Sequence, residues 1–448
     1  MKKLILLSSV ILLLAKNAYS FDIPRNTILS AKIIDLSNDS TIYELNPEYL
    51  LYPASNQKII TLYAALKLLP RDYRFKTELL SNSKNIYIKF SGDPTLTYEQ
   101  LDRLLANLKN KEFTNVILDV SAFDNEYYPS GWLHDQNKFC FSAPTSAGMV
   151  DKNCQEFNIN IDKLGKLNIR PQTTNLIDMD NKARLVDRAD KFCEFELSSF
   201  ASNQYKLFGC YTHDNVPSSL KIAINAPDKY LQDLTALILK KNNIKYNKLT
   251  LGETAKEANL VNSVSSLPLQ ELLTQMMKNS DNQVAEALFK KIAQHNSRLP
   301  GNWKIGTKII TDLMHKELKT GEGSFQIADG SGMSRKDLLS ASTIITLLHS
   351  AYRDGSIKDD FISTFPTSGL EGTVAERFKD ERDFRILAKS GSADNTSSLS
   401  GYAFNDAGKA YAFSIIFNGF TGDKASVRKL EEKILLSAIK SLQLISTH

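Results

Sequence analysis

Ser55 stands three residues before Lys58 in the stretch PASNQKIITLYAALKLLP. A serine hydroxyl is a weak nucleophile until a neighbouring base takes its proton. Residues three apart on a helix share a face, with Cβ atoms about 5–6 Å apart, so Lys58 reaches Ser55 by local geometry alone. The pattern S-x-x-K is not sufficient evidence of chemistry, because it occurs five times, starting at Ser55, Ser81, Ser218, Ser426 and Ser437. A serine ahead of a helix is more often its N-cap. Catalysis at Ser55 therefore requires further partners.

A second set lies in MMKNSDNQVAEALF, where Ser280-Asp281-Asn282 joins two helical patterns. A hydroxyl and an amide on a short loop can donate and accept within a cleft, although the same residues also make capping turns. A third set must bring positive charge and donors for a substrate carboxylate, and two segments compete for the role. Lys319-Thr320-Gly321 follows the helical run TKIITDLMHKEL, only 39 residues after Ser280. It reads as a helix end, with Gly321 as the C-cap glycine and Lys319 in the last turn. Lys389-Ser390-Gly391 continues the strand-like FRILA and opens into two more strand patterns. A small-residue edge strand can receive an extended peptide as an added strand. Strict alternation sends Lys389 and Ser390 to opposite faces, so an edge or a local distortion is expected there.

The elements that position these groups follow from periodicity. Residues 54–69 read as a helix with Ile59, Ile60, Leu62, Tyr63, Leu66 and Leu69 in one stripe, stopped by Pro70. From about residue 75 to 260, short strand-like runs such as NIYIKF and NVILDV alternate with polar loops. Helical period returns in PLQELLTQMMKN and QVAEALFKKIAQ. Three strand patterns, FRILAKSGS, SSLSGYAF and YAFSIIFNGF, follow with turn residues between them. A C-terminal amphipathic helix over about 425–444 carries mixed charges, which favours packing on the sheet over a membrane surface. The simplest architecture is an α/β domain made from both chain ends, with a strand-rich insert between them.

The first twenty residues have the pattern of a cleaved secretory signal: Lys2 and Lys3, an apolar run from Leu4 to Leu14, then Ala18 and Ser20. No cysteine stands near the cut for a lipid anchor. They carry three of the 55 Lys+Arg and none of the 50 Asp+Glu, so the remainder is almost neutral. That balance gives no electrostatic footprint for nucleic acid. Cys140, Cys154, Cys193 and Cys210 form no C-x-x-C pair, and no H-E-x-x-H is present, so no metal site is expected. In an oxidising compartment an even count favours two disulfides. Three pairings are open, of which the nearest-neighbour one, Cys140–Cys154 and Cys193–Cys210, is expected.

S-x-x-K, S-D-N and K-S-G, in that order on helix, loop and strand, resemble the signature set of serine β-lactamases and penicillin-binding proteins. The 225 residues from Ser55 to Ser280 far exceed the short stretch in class A β-lactamases. This long insert is similar to that of the low-molecular-mass class C penicillin-binding proteins, the D-alanyl-D-alanine carboxypeptidase/endopeptidases. GDPTLT at Gly92, FCFSAPTSAGMVDKNC from Phe139 and IADGSGMSR from Ile327 also look similar to that family. Ser390 departs from its usual threonine.

The resemblance implies a β-lactamase/transpeptidase-like domain, an antiparallel sheet flanked by helices, from residues 21–75 and 262–448, with residues 76–261 inserted. It implies a cofactor-free periplasmic hydrolase of peptidoglycan stem peptides. Ser55 would be the nucleophile and Lys58 the general base, helped to release its proton by burial and the like charge of Lys389. Ser280 would shuttle a proton to the leaving amine, and Asn282 would orient Lys58 and the substrate amide. Lys389, Ser390 and Gly391 would receive the terminal carboxylate, and the N–H groups of Ser55 and Ser392 would form the oxyanion hole. Asp135 in the insert is a candidate for the stem-peptide amine, against its reading as a solvated loop acid. β-Lactams would acylate Ser55 covalently, and no stable membrane anchor is expected. The alternatives are a β-lactamase or esterase with the same acylation apparatus, and a non-catalytic wall-binding protein. No E-x-x-x-N occurs between Ser280 and Lys389 to place a deacylating water, and no G-x-S-x-G supports a Ser-His-Asp hydrolase.

Overall fold

The computed structural model describes residues 21–445, apart from 164, 189–192 and 215. The expected signal segment, residues 1–20, lies outside the described residues. The chain divides into two compact units. One comprises the chain up to Leu68, Leu273–Asp281 and the chain from Thr307 onward; the other comprises Leu69–Leu272 and Asn282–Gly306. The sequence-based division at 75/76 and 261/262 is narrower, and it leaves residues 282–306 with the catalytic domain.

The first unit is built on a five-stranded antiparallel sheet. Its order is Phe384–Ala393, Thr396–Asn405, Ala410–Asn418, Ile28–Asp35 and Thr41–Leu45. Chain ends meet in its middle, where Ile28–Asp35 pairs with Ala410–Asn418 from Ile28↔Asn418 to Asp35↔Tyr411. The two N-terminal strands have no counterpart in the periodicity reading. On one face the C-terminal helix Lys424–Ile445 packs Val427, Ile434, Leu435 and Ile439 against Leu29, Ile33, Phe413 and Ile415. The opposite face receives the helix Ala341–Arg353, whose first N–H is accepted by Ser30 Oγ at 3.1 Å. Burial on both faces explains why Ala410–Asn418 is an almost unbroken apolar run instead of an alternating one.

The second unit has a mixed five-stranded sheet in the order Lys245–Leu251, Glu112–Asp119, Asn85–Phe90, Lys76–Ser81 and Asn259–Ser265. Leu101, Leu104 and Leu105 of the helix Tyr98–Ala106, and Leu231, Leu234 and Ile238 of Pro227–Lys241, fill its core with Leu79, Ile86, Ile88, Val116 and Leu118. Both helices fall in the stretch expected to be strands and loops. The first was announced by a capping box, Thr97 with Gln100, and the second by Pro227 at its start. Cysteines pair 140–154 and 193–210, each with Cα atoms 5.2 Å apart, as the nearest-neighbour expectation has it.

Candidate active site

In the first unit a 3-10 turn, Ala54–Asn56, feeds the helix Gln57–Leu68. Pro53 occupies the cap position and makes no side-chain cap bond, so Ser55 lies inside the turn and is not the helix N-cap. Ala54 adopts a left-handed φ of 46°, an unfavourable choice for an alanine. The helix is buried on every side from Gln57 to Ala65, which includes Lys58. An ammonium removed from water must be met by acceptors. Lys58 Nζ donates to Ser55 Oγ at 3.2 Å and to Ser331 O at 2.7 Å.

Ser331 belongs to the turn in IADGSGMSR, which Asp329 holds by accepting the N–H groups of Ser331, Gly332 and Ser334 at 3.0, 2.6 and 2.7 Å. Its carbonyls face the nucleophile helix: Gln57 Nε2 donates to Asp329 O at 3.1 Å and Thr61 Oγ1 to Gly330 O at 2.6 Å. Gly332, at φ +83°, packs so closely on Ala54 that any side chain would collide with its backbone. The turn therefore fixes both ends of the Ser55–Lys58 pair.

Lys389 arrives on Phe384–Ala393, the edge strand of the sheet. Its pairing with Thr396–Asn405 is unbroken from Phe384↔Asn405 to Ala393↔Thr396. Of the two devices expected, the edge is present and the distortion is not. Lys389 is completely buried, and its Nζ donates to Ser280 Oγ at 3.0 Å and to Ser390 O at 2.6 Å. Burial, and then the positive charge of Lys58, push Lys389 well below the ordinary lysine range. Ser280 follows the helix Leu269–Lys278 with a left-handed φ of 55°, a strained geometry that turns its hydroxyl onto the lysine.

Gly391 shares the face of Lys389. A Cβ there would stand 2.8 Å from Pro53 O and 3.0 Å from Ser55 N, so only glycine lets the strand pass this close to the nucleophile's amide. Ser398 Oγ, on the neighbouring strand, donates to Pro53 O at 2.7 Å and fixes the turn against the sheet. Ser390, half-buried on this edge strand, donates to Thr373 Oγ1 at 2.8 Å. Ser392 is exposed one residue beyond Gly391, opposite Ser397.

The first unit thus gathers Ser55, Lys58, Ser280, Lys389, Ser390, Gly391 and Ser392. Asn282 opens the helix Asn282–Ser297 of the second unit, where its amide donates to Phe141 O at 2.7 Å. Asp135 lies exposed on the 3-10 turn His134–Gln136 of that unit. The competing Lys319-Thr320-Gly321 does end a helix, Trp303–Leu318, but the residue at positive φ is Lys319 at 53°, not Gly321. Gly321 meets no neighbour, so the expectation of a C-cap glycine is corrected by one turn-forming lysine. Periodicity did not single out Asp329, Ser331, Thr373 or Ser398 as site residues. Asp329 and Ser331 carry only the turn chemistry of the D-G-S-G sequence, and Ser398 lies within the strand Thr396–Asn405.

This arrangement has counterparts among known proteins. A D-alanyl-D-alanine carboxypeptidase DacB of Haemophilus influenzae is 30% identical over 417 residues, covering 88% of this chain and 86% of that protein. A D-alanyl-D-alanine carboxypeptidase of Actinomadura sp. is 27% identical over 426 residues, 87% of this chain and 77% of that protein. The crystal structure of penicillin binding protein 4 (dacB) from Haemophilus influenzae superposes with a TM-score of 0.84 at 27% identity, covering 93% of this chain and 97% of that one. The model of the D-Ala-D-Ala carboxypeptidase 3 (S13) family matches residues 17–438. With serine, lysine and strand motifs assembled on a matching fold over nearly its whole length, the chain belongs to the D-Ala-D-Ala carboxypeptidase 3 (S13) family.

Proposed function

We propose that this protein is a periplasmic serine hydrolase of D-alanyl-D-alanine bonds in peptidoglycan stem peptides, acting on free ends as a carboxypeptidase and on cross-links as an endopeptidase. The observation that carries the reading is the convergence of two hydroxyl–ammonium pairs, Ser55–Lys58 and Ser280–Lys389, with Lys58 near enough to repel the charge on Lys389. Ser55 Oγ attacks the carbonyl of the penultimate D-alanine while Lys58 Nζ, as the neutral amine that like-charge repulsion between the two lysines favours, takes the hydroxyl proton. The resulting oxyanion lies against the N–H groups of Ser55 and Ser392. As the C–N bond breaks, Ser280 Oγ passes a proton to the departing amine and is reprotonated through the lysine pair. Water then cleaves the ester and returns a proton to Ser55.

Lys389 and Ser390 receive the terminal carboxylate. An arriving anion offsets the repulsion from Lys58 and raises the proton affinity of Lys389 again, so substrate binding favours the charged form of this lysine. Asn282 follows Ser280 by two residues, and its role in orienting the amide rests on the motif alone. Asp135 remains a candidate for the stem-peptide amine because it is exposed. β-Lactams present the same carboxylate beside a reactive amide and acylate Ser55. A solved structure of penicillin binding protein 4 (dacB) from Haemophilus influenzae is a complex with a β-lactam, which supports that reading.

The test is intact mass after benzylpenicillin, with peptide mapping of the adduct, beside D-alanine release from a pentapeptide. The wild type should carry one long-lived adduct on Ser55 and release D-alanine, and Ser55→Ala should do neither. Rapid turnover of a cephalosporin reporter would favour the β-lactamase alternative. An inert wild type would favour a wall-binding protein.

A further inference from the structure

Threonine at position 390, the usual residue of the strand motif, would carry a γ-methyl group that restricts χ1. Ser390 lacks that methyl, so its hydroxyl needs another restraint to stay aimed. The segment Pro366–Val374 supplies one. Pro366 O accepts from Ala388 N at 3.1 Å and Ser368 N donates to Ile386 O at 2.9 Å, which zips the segment onto the outer edge of the strand that carries Ser390. Lys278, two residues before Ser280, donates to Glu371 Oε2 at 2.8 Å. Gly372 sits at φ +62°, where a Cβ would stand 3.0 Å from Pro366 Cβ and 3.2 Å from the carbonyl carbon of Lys278. These contacts deliver the exposed Thr373 to Ser390, Oγ to Oγ1 at 2.8 Å.

We propose that Thr373 is a positioning residue that holds the Ser390 hydroxyl in its carboxylate-binding rotamer, replacing by a hydrogen bond the restraint of the missing methyl group. The inference rests on the carboxylate-binding role given to Ser390 above. Hydroxyl hydrogens rotate to suit their partners. When a terminal carboxylate arrives, Ser390 donates to it and Thr373 donates in turn to Ser390 Oγ, a two-hydroxyl chain in which each bond polarises the next. The pair also makes the protein selective for a free C-terminal carboxylate over a neutral end.

The experiment measures kcat/KM for a D-alanyl-D-alanine peptide and for its C-terminal carboxamide, in wild type, Thr373→Val, Thr373→Ser, Ser390→Thr and the double variant Thr373→Val/Ser390→Thr. Thr373→Val should lower the acid-over-amide ratio about three- to tenfold, the effect of one net hydrogen bond. The loss should appear in KM for the acid, with Tm unchanged. Thr373→Ser should retain the ratio, and Ser390→Thr should restore it in the double variant. An unchanged ratio in Thr373→Val, or a drop that Ser390→Thr leaves unrepaired, overturns the proposal. A wild type that neither hydrolyses the peptide nor takes up penicillin would instead remove the enzymatic reading itself, before any variant is made.

Discussion

Lys389 of the first unit and Lys290 of the second are both completely buried, and their ammonium groups meet different partners. In the second unit Lys290 Nζ meets Asp124 Oδ1 at 2.8 Å and Glu126 O at 2.5 Å, with the Trp303 ring 4.0 Å away. Burial lowers its proton affinity and Asp124 offsets part of that loss, leaving it below the ordinary lysine range. In the first unit Lys389 meets a hydroxyl, a carbonyl and the charge of a second lysine. A compensated ammonium fastens a fold; an uncompensated one stores an affinity for the anion it lacks.

The comparison breaks most sharply on substitution to methionine, which keeps length and removes charge. Lys389→Met should cut the rate of Ser55 acylation by benzylpenicillin about 10²- to 10³-fold, the range for losing one preorganised electrostatic donor. Its thermal stability should hold or rise, because the folded state no longer carries a buried repelled cation. Lys290→Met should do the reverse. It strands a mostly buried Asp124 and should cost about 2–4 kcal/mol in denaturant unfolding, while the protein that remains folded still acylates. Equal losses of stability in both variants would erase the distinction.

A smaller effect concerns pH. Lys389 has a lower proton affinity folded than unfolded, so between the two pKa values the unfolded chain binds more protons and stability rises with pH. Below the folded pKa both forms are charged and the full penalty stands. Binding of a D-alanyl-D-alanine carboxylate, read by competition with slow penicillin acylation, should weaken as pH rises through that lowered pKa. In Lys58→Ala, measured by direct calorimetric binding, the weakening should move to higher pH because the repelling charge is gone. Outside the pair of buried lysines, Cys140→Ser/Cys154→Ser should destabilise the second unit by about 3 kcal/mol, from the loop-closure entropy of a 14-residue separation. It should leave the Ser55–Lys58 and Ser280–Lys389 pairs of the first unit in place.

Legibility differed by region for a physical reason. The three final strands and the C-terminal helix were read from their periodicity and turn residues, and all four are present. Ile28–Asp35 and Thr41–Leu45 went unread, because a strand at the chain start is defined by a partner nearly four hundred residues away. The helices Tyr98–Ala106 and Pro227–Lys241 were hidden in a stretch dominated by short strands, although their starts were marked. At the Lys319-Thr320-Gly321 decoy the helix end was legible, and the residue that turns left-handed was not.

Residue type and local spacing by themselves determined that Ser55 has an amine within reach, since three residues along a helix is a fixed distance. They also marked Lys389 as the strand lysine, while leaving three cysteine pairings open, of which the expected nearest-neighbour one is present. Only the tertiary structure decided that Lys389 stands uncompensated beside Lys58, that Gly391 skims the Ser55 amide, and that Thr373 braces Ser390. Those relations depend on segments hundreds of residues apart being packed at contact distance, which no local period encodes.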